Sequence, residues 1–216
     1  MMRLQFDRSG KKSLKILCLG AHSDDIEIGC GGSVLELRKQ YPDCEISWAV
    51  FNAVDQRELE ARRGASLFAA GNLKTLLLKG FQDGFMPYIG AEVKTVFEKE
   101  LKPLAPDVVF THRGKDAHQD HRLLSELTWN TFRDQLILEY EIPKYDGDLS
   151  RPNVFVPLEE ETYRNKVAHL MEVFASQRSK RWFQPEMFLG LMRLRGMECN
   201  AASGYAEAFY GRKIVI

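Results

Sequence analysis

Neither sign of charge prevails in this chain. Thirty Lys and Arg balance thirty Asp and Glu, so there is no basic field to gather nucleic acid or an anionic membrane. No apolar run approaches the roughly 20 residues that cross a bilayer, and the opening MMRLQFDRSGKK has no apolar signal-peptide core. The four cysteines, Cys18, Cys30, Cys44 and Cys199, show no CxxC spacing and are too sparse for a disulfide framework. A reducing cytoplasm is therefore the expected home. Repeats and low-complexity tracts are missing, and so are the GxSxG elbow of a serine hydrolase and the GxGxxG of a dinucleotide loop. Histidine is scarce at five residues, which makes its placement informative.

What is present is an ordinary globular mixture, 44% apolar and 28% charged over 216 residues, enough for one domain spanning 1–216. Short apolar runs of strand length, Leu14–Leu19, Glu45–Phe51, KTLLLKG, Asp107–His112 and NVFVPL, alternate with stretches of helical spacing. The helices are expected over Ser33–Gln40, Arg57–Gly71, AEVKTVFEKELK, about His121 to Leu138, and Glu159–Gln177. Glu139–Asn153, rich in Pro, Gly and Asp, reads as a long surface loop. This alternation predicts an α/β fold, a Rossmann-like mostly parallel sheet with helices on both faces. In such sheets the loops leaving the carboxyl ends of strands open on one edge, where ligands bind.

Two loops predicted on that edge hold four of the five histidines. The first is GAHSDDIEIGCGG (Gly20–Gly32) and the second THRGKDAHQDHR (Thr111–Arg122). His169 lies elsewhere, on an amphipathic helix, where an ordinary flanking or core place is expected. Two imidazoles and a carboxylate suit Zn²⁺ with one position left for water, and His22, Asp25 and His121 supply such a set. Asp24 is then free to take a proton from water, while His118 can donate one or stabilise an oxyanion with Asp120 behind its ring. On that reading Asp120 raises the pKa of His118, which gives turnover an alkaline limb. Taken singly, each motif could be no more than a helix cap, since Asp is a favoured N-cap residue. Their joint occurrence on one edge favours a metal.

These residues resemble the PIG-L/LmbE family of zinc-dependent N-deacetylases. AHSDDIEIGCGG is similar to the family's Ala-His-Pro-Asp-Asp motif and HQDH to its His-x-Asp-His motif, and weaker likenesses run through RELEARRGASLFAAG, LKGFQDGFM, KVAHLMEVFASQ and GYAEAFYGRKIVI. The resemblance implies one zinc per chain, or another divalent ion, on His22, Asp25 and His121. It implies Asp24 as general base, and His118 with Asp120 at the tetrahedral intermediate and leaving amine. It also implies Arg57 and Asp83 as substrate-binding residues at sugar hydroxyls or phosphate. Ser23 stands where the family has Pro, a change expected to loosen the loop. The implied activity removes acetyl from an N-acetylglucosamine-type sugar or glycoconjugate, a small-molecule partner, with a homo-oligomer left open. A metal-dependent phosphoesterase and a non-catalytic carbohydrate-binding relative are the competing readings. The first needs more ligands for two metals than remain, and the second would be expected to lose a ligand or the base.

Overall fold

Lys15–His22, the first strand (β1), is apolar on both faces because both faces of the sheet it occupies are covered. The computed structural model describes residues 4–6, 10 and 12–214. The opening stretch read above for a leader, and the last two residues of GYAEAFYGRKIVI, therefore lie partly or wholly outside the described residues. After β1 the chain runs through α1 (Asp25–Gln40), β2 (Glu45–Asn52), α2 (Asp55–Ala69), β3 (Leu73–Leu78), α3 (Gly90–Val96), β4 (Val108–His112), α4 (Gln119–Thr131) and β5 (Leu136–Tyr140). It ends with β6 (Val154–Pro157), α5 (Glu160–Val173), α6 (Pro185–Glu198) and β7 (Ala206–Gly211).

The strands form one seven-stranded sheet in the order β3-β2-β1-β4-β5-β7-β6. The first five are parallel, and β7 pairs antiparallel with both β5 and β6. Alternate residues of β1 separate the core in two. Ile16 and Cys18 join the helices α1, α2, α5 and α6, while Leu17 and Leu19 join α3, α4 and the segment between α3 and β4. The strand order reverses between β1 and β4, and that switch point is where a sheet of this class opens a crevice at its carboxyl edge.

Three expected boundaries shift, each for a physical reason. α1 begins at Asp25 rather than Ser33, so the glycines lie inside a helix. A Cβ on Gly29 would collide with the Tyr140 ring, and one on Gly32 would sit 2.9 Å from the Glu207 carboxylate. These glycines let the helix press onto the sheet, and that packing outweighs their poor helix propensity. α4 ends at Thr131, not Leu138. Phe132 turns into the core, and Leu136–Tyr140 completes a parallel register with Val108–His112. The helix expected from 91 to 102 is α for one short stretch only and then widens and tightens through irregular turns before β4.

Candidate metal centre

His22 is the last residue of β1 and His112 the last of β4, so adjacent parallel strands deliver two imidazoles to the edge. Two residues join β1 to α1. The second, Asp24, has φ +110°, a left-handed backbone uncommon for any residue but glycine and the kind of strain that clusters at functional sites. The turn brings the Asp25 carboxylate back under the strand end, where it accepts the His22 backbone N–H at 2.7 Å. Across the switch point, α4 opens with His118 as its cap and sets His121 one turn inside.

His22 Nδ1, Asp25 Oδ2 and His121 Nε2 converge. Their separations are 3.3 Å (His22–Asp25), 3.2 Å (His22–His121) and 3.5 Å (His121–Asp25). Zinc–ligand bonds of about 2.0–2.1 Å at tetrahedral angles put ligand atoms about 3.3 Å apart, so the triangle fits such an ion. The electrostatics agree. Burial opposes charge on His22 and His121, but the surrounding Asp25, Asp83, Asp116 and Asp120 outweigh it and hold both above the ordinary imidazole range. For Asp25, burial is overcome chiefly by the charge of His121, which holds the carboxyl well below its usual range. This cluster favours positive charge, and a divalent cation supplies it.

The surrounding groups fix the tautomers. His121 Nδ1 lies 3.1 Å from Asp116 Oδ2, leaving Nε2 for the ion. Asp116 is itself held by Lys144 at 3.1 Å and by the His118 backbone N–H at 2.8 Å. His22 turns its other nitrogen to Asp83 at 3.0 Å and Asp120 at 3.3 Å. His112 is fully buried, and its Nε2 accepts the Ala21 backbone N–H at 2.9 Å. Burial lowers its pKa to about 4, so it stays neutral and stacks on His121 as a wall of the site. Neither His112, Asp116 nor Lys144 is singled out by the sequence motifs. Asp116, five residues before the candidate ligand His121, carries the one signal that could have found it.

The expectation for Asp120 is corrected. Its carboxylate accepts the backbone N–H groups of Gly84 (2.7 Å) and Met86 (3.2 Å) and faces His22, not the ring of His118. His118 instead accepts the Asp120 backbone N–H on Nδ1 at 3.3 Å, with Nε2 3.7 Å from Asp83. Burial and then the neighbouring His121 and His22 lower its pKa. It is a neutral imidazole whose remaining N–H, on Nε2, faces the site. Asp24 is buried, with Oδ1 3.1 Å from Arg57 Nη2. Burial pushes its carboxyl up to about 6 against the pull of Arg57, and Asp25 adds to the rise. Arg57 also donates to the Ser23 carbonyl, while the Ser23 hydroxyl donates back to the Arg57 carbonyl at 2.9 Å. Ser23 thus ties the turn to α2 by a bond proline lacks.

Residues 17–132 match the family model described as PIG-L, GlcNAc-PI de-N-acetylase. An uncharacterized deacetylase of Escherichia coli strain K12, YaiS, is 30% identical over 173 residues, covering 75% of this chain and 91% of its own. Among solved structures, the conserved protein TT1542 of Thermus thermophilus superposes with a TM-score of 0.74 at 20% identity, over 94% of this chain and 96% of that one. The N,N'-diacetylchitobiose deacetylase of Pyrococcus horikoshii gives 0.66 at 19% identity, over 96% and 87%. At these identities the two structures speak for the fold alone.

Proposed function

The chain belongs to the PIG-L family of deacetylases, and from that premise and the geometry of the edge site we propose a zinc-dependent hydrolase that removes acetyl from the amide of an N-acetylated sugar or glycoconjugate. The observation that carries this reading is the triangle of His22, Asp25 and His121 with a buried Asp24, paired to Arg57, next to it in the turn. Bound there, zinc would supply Lewis acidity toward the amide carbonyl and a water acidified toward neutrality.

The chain's own residues do the rest. Asp24, held by Arg57, takes the proton of the attacking water, and a carboxyl near 6 is well matched to that task at neutral pH. The neutral His118 offers its Nε2–H to the oxygen that gains charge as the carbonyl becomes tetrahedral. The departing nitrogen needs a proton, and the one Asp24 has accepted is the nearest source. Asp116 and Asp120 orient the two ligand imidazoles. Asp83, exposed and with Oδ1 3.0 Å from His22 Nε2, accepts from a sugar hydroxyl on this reading.

The test is a screen of the zinc-loaded protein for acetate and free amine on N-acetylglucosamine and N,N'-diacetylchitobiose. Asp24→Asn should keep the metal and lose about 10²- to 10⁴-fold in turnover. Stoichiometric metal with no acetate from any N-acetyl sugar would sink the proposal, and an Asp24→Asn variant as active as the parent would remove Asp24 from it.

A further inference from the structure

The face of the sheet that carries α3 is not filled evenly. Leu17, Ser47 and Thr75 stand side by side in register on β1, β2 and β3, and Ala49 and Leu77 form part of the next row toward the carboxyl edge. Ser47, Ala49 and Thr75 are small, so the floor they make is low. The roof above it is not a regular helix. A wide π-type turn over Phe97–Leu101 passes into a tight 3₁₀ turn over Lys102–Leu104, and such turns cannot lay the even side-chain ridge of an α-helix on the strands. A cleft of about 170 Å³ is left between this floor and Leu101 and Leu104 of the roof.

Protein interiors rarely keep voids larger than a water molecule, and an apolar cavity of roughly 150 Å³ takes up benzene. This cleft is of that order, but it also has polar groups. Ser47 and Thr75 are half-buried register partners, on the face of Ala49 and Leu77 by strand alternation. Neither hydroxyl has a hydrogen-bond partner among the described residues. Glu100, the one charged residue lining the cleft, is taken by Lys79 just beyond β3, at 2.7 and 2.8 Å. That pair ties the roof to the edge of the sheet and leaves the cleft without an unpaired charge. Leu17 lies five residues before His22, about 16 Å along the strand, so the floor is well removed from the metal centre.

We propose that this cleft is a second binding site, for a small neutral molecule with an apolar body and one hydroxyl group, about the size of phenol. The leucines and Ala49 take the body, and Ser47 and Thr75 exchange hydrogen bonds with the hydroxyl. An apolar body that displaces poorly held water gains affinity. The site is independent of the hydrolase reading, since no residue of the candidate metal centre lines it.

The test titrates phenol, and separately toluene, into isotope-labelled protein and follows the backbone amides by NMR. Saturable shifts are expected at Leu17, Ser47, Thr75 and Leu101, with phenol bound more tightly than toluene. Ser47→Ala combined with Thr75→Val should lower phenol affinity about 2- to 12-fold, the range of one neutral hydrogen bond, and leave toluene affinity little changed. Ala49→Leu fills the floor and should abolish binding of both, its fold checked by far-UV circular dichroism. If that variant does not fold, Leu104→Phe at the half-buried rim takes its place. No saturable shift with either molecule, shifts confined to the carboxyl edge, or binding that survives in the filled variant overturns the site. A preference for phenol unmoved by loss of the two hydroxyls overturns the ligand class assigned to it.

Discussion

Replacing Lys166 with Met probes the support beneath the metal centre. Lys166 and Glu207 are each about 3% exposed, and the ammonium lies 2.5 Å from the carboxylate. The ammonium also donates to the Ile28 carbonyl at 2.6 Å, and the carboxylate accepts the backbone N–H groups of Gly32 (2.8 Å) and Ser33 (2.6 Å). All three backbone partners belong to α1, the helix that begins with Asp25. Met fills the volume but leaves a buried carboxylate facing only two amide dipoles. Breaking a buried pair by removing one partner costs about 3–5 kcal/mol, and the orphaned Ile28 carbonyl places the loss toward the upper part of that range. Against a stability of about 5–15 kcal/mol, such a loss leaves little margin. Urea unfolding followed by far-UV circular dichroism measures it, with Glu207→Gln and the double variant completing a mutant cycle. The double variant should be more stable than the sum of the singles by about 1 kcal/mol or more, because each single leaves the other group unpaired. A Lys166→Met loss below about 1 kcal/mol, or strict additivity, would refute the argument.

Other outcomes follow from the site. Asp116→Asn should weaken zinc binding about 10- to 100-fold in a chelator competition, as loss of a histidine's outer partner typically does, with the fold intact. Asp24 must be ionised to act as a base, so turnover falls as pH falls through its pKa; that value is about 6, and a bound cation would only lower it, so the acid limb should lie at or below about pH 6 in a pH–rate profile. A neutral His118 supplies no alkaline limb, so His118→Ala should lower the rate without changing the shape of the profile above neutrality; loss of an alkaline limb in that variant would contradict the neutral assignment. Ser23→Ala removes the bond to the Arg57 carbonyl and should cost about 1 kcal/mol of stability, read as a shift of the urea midpoint.

The cluster of His22, Asp24, Asp25, His118 and His121 was legible in the sequence because its parts are short, local and chemically distinctive. His22, Asp24 and Asp25 fall at a strand end, and His118 and His121 fall at a helix start after another strand. Parallel topology alone brings such ends together. What escaped depends on contacts distant in the chain. α1 starts eight residues before the expected Ser33 because Tyr140, Phe68 and Glu207 press on Gly29, Gly31 and Gly32, contacts that lie far away in the chain. β5 looked helical because no Gly or Pro separates it from α4, and only pairing with β4 makes it a strand. Asp120 sits beside His118 in sequence, yet its carboxylate turns to His22 and Gly84. Sequence adjacency said nothing about that direction.

The hydrogen bond from Gly32 to Glu207 joins residues 175 positions apart. On a ribosome the segment that carries His22, Asp24 and Asp25 emerges early, while the carboxylate that steadies its helix emerges 175 residues after Gly32. The Lys166 ammonium waits 41 residues for the same acidic partner. Until β7 inserts between β5 and β6, the turn that carries Asp24 and Asp25 therefore lacks its full support, although every residue of the candidate site has already been made. Acquisition of metal should track the completion of the sheet rather than the appearance of the ligands. Fragments stopping short of Glu207 should behave as folding intermediates, not as small enzymes.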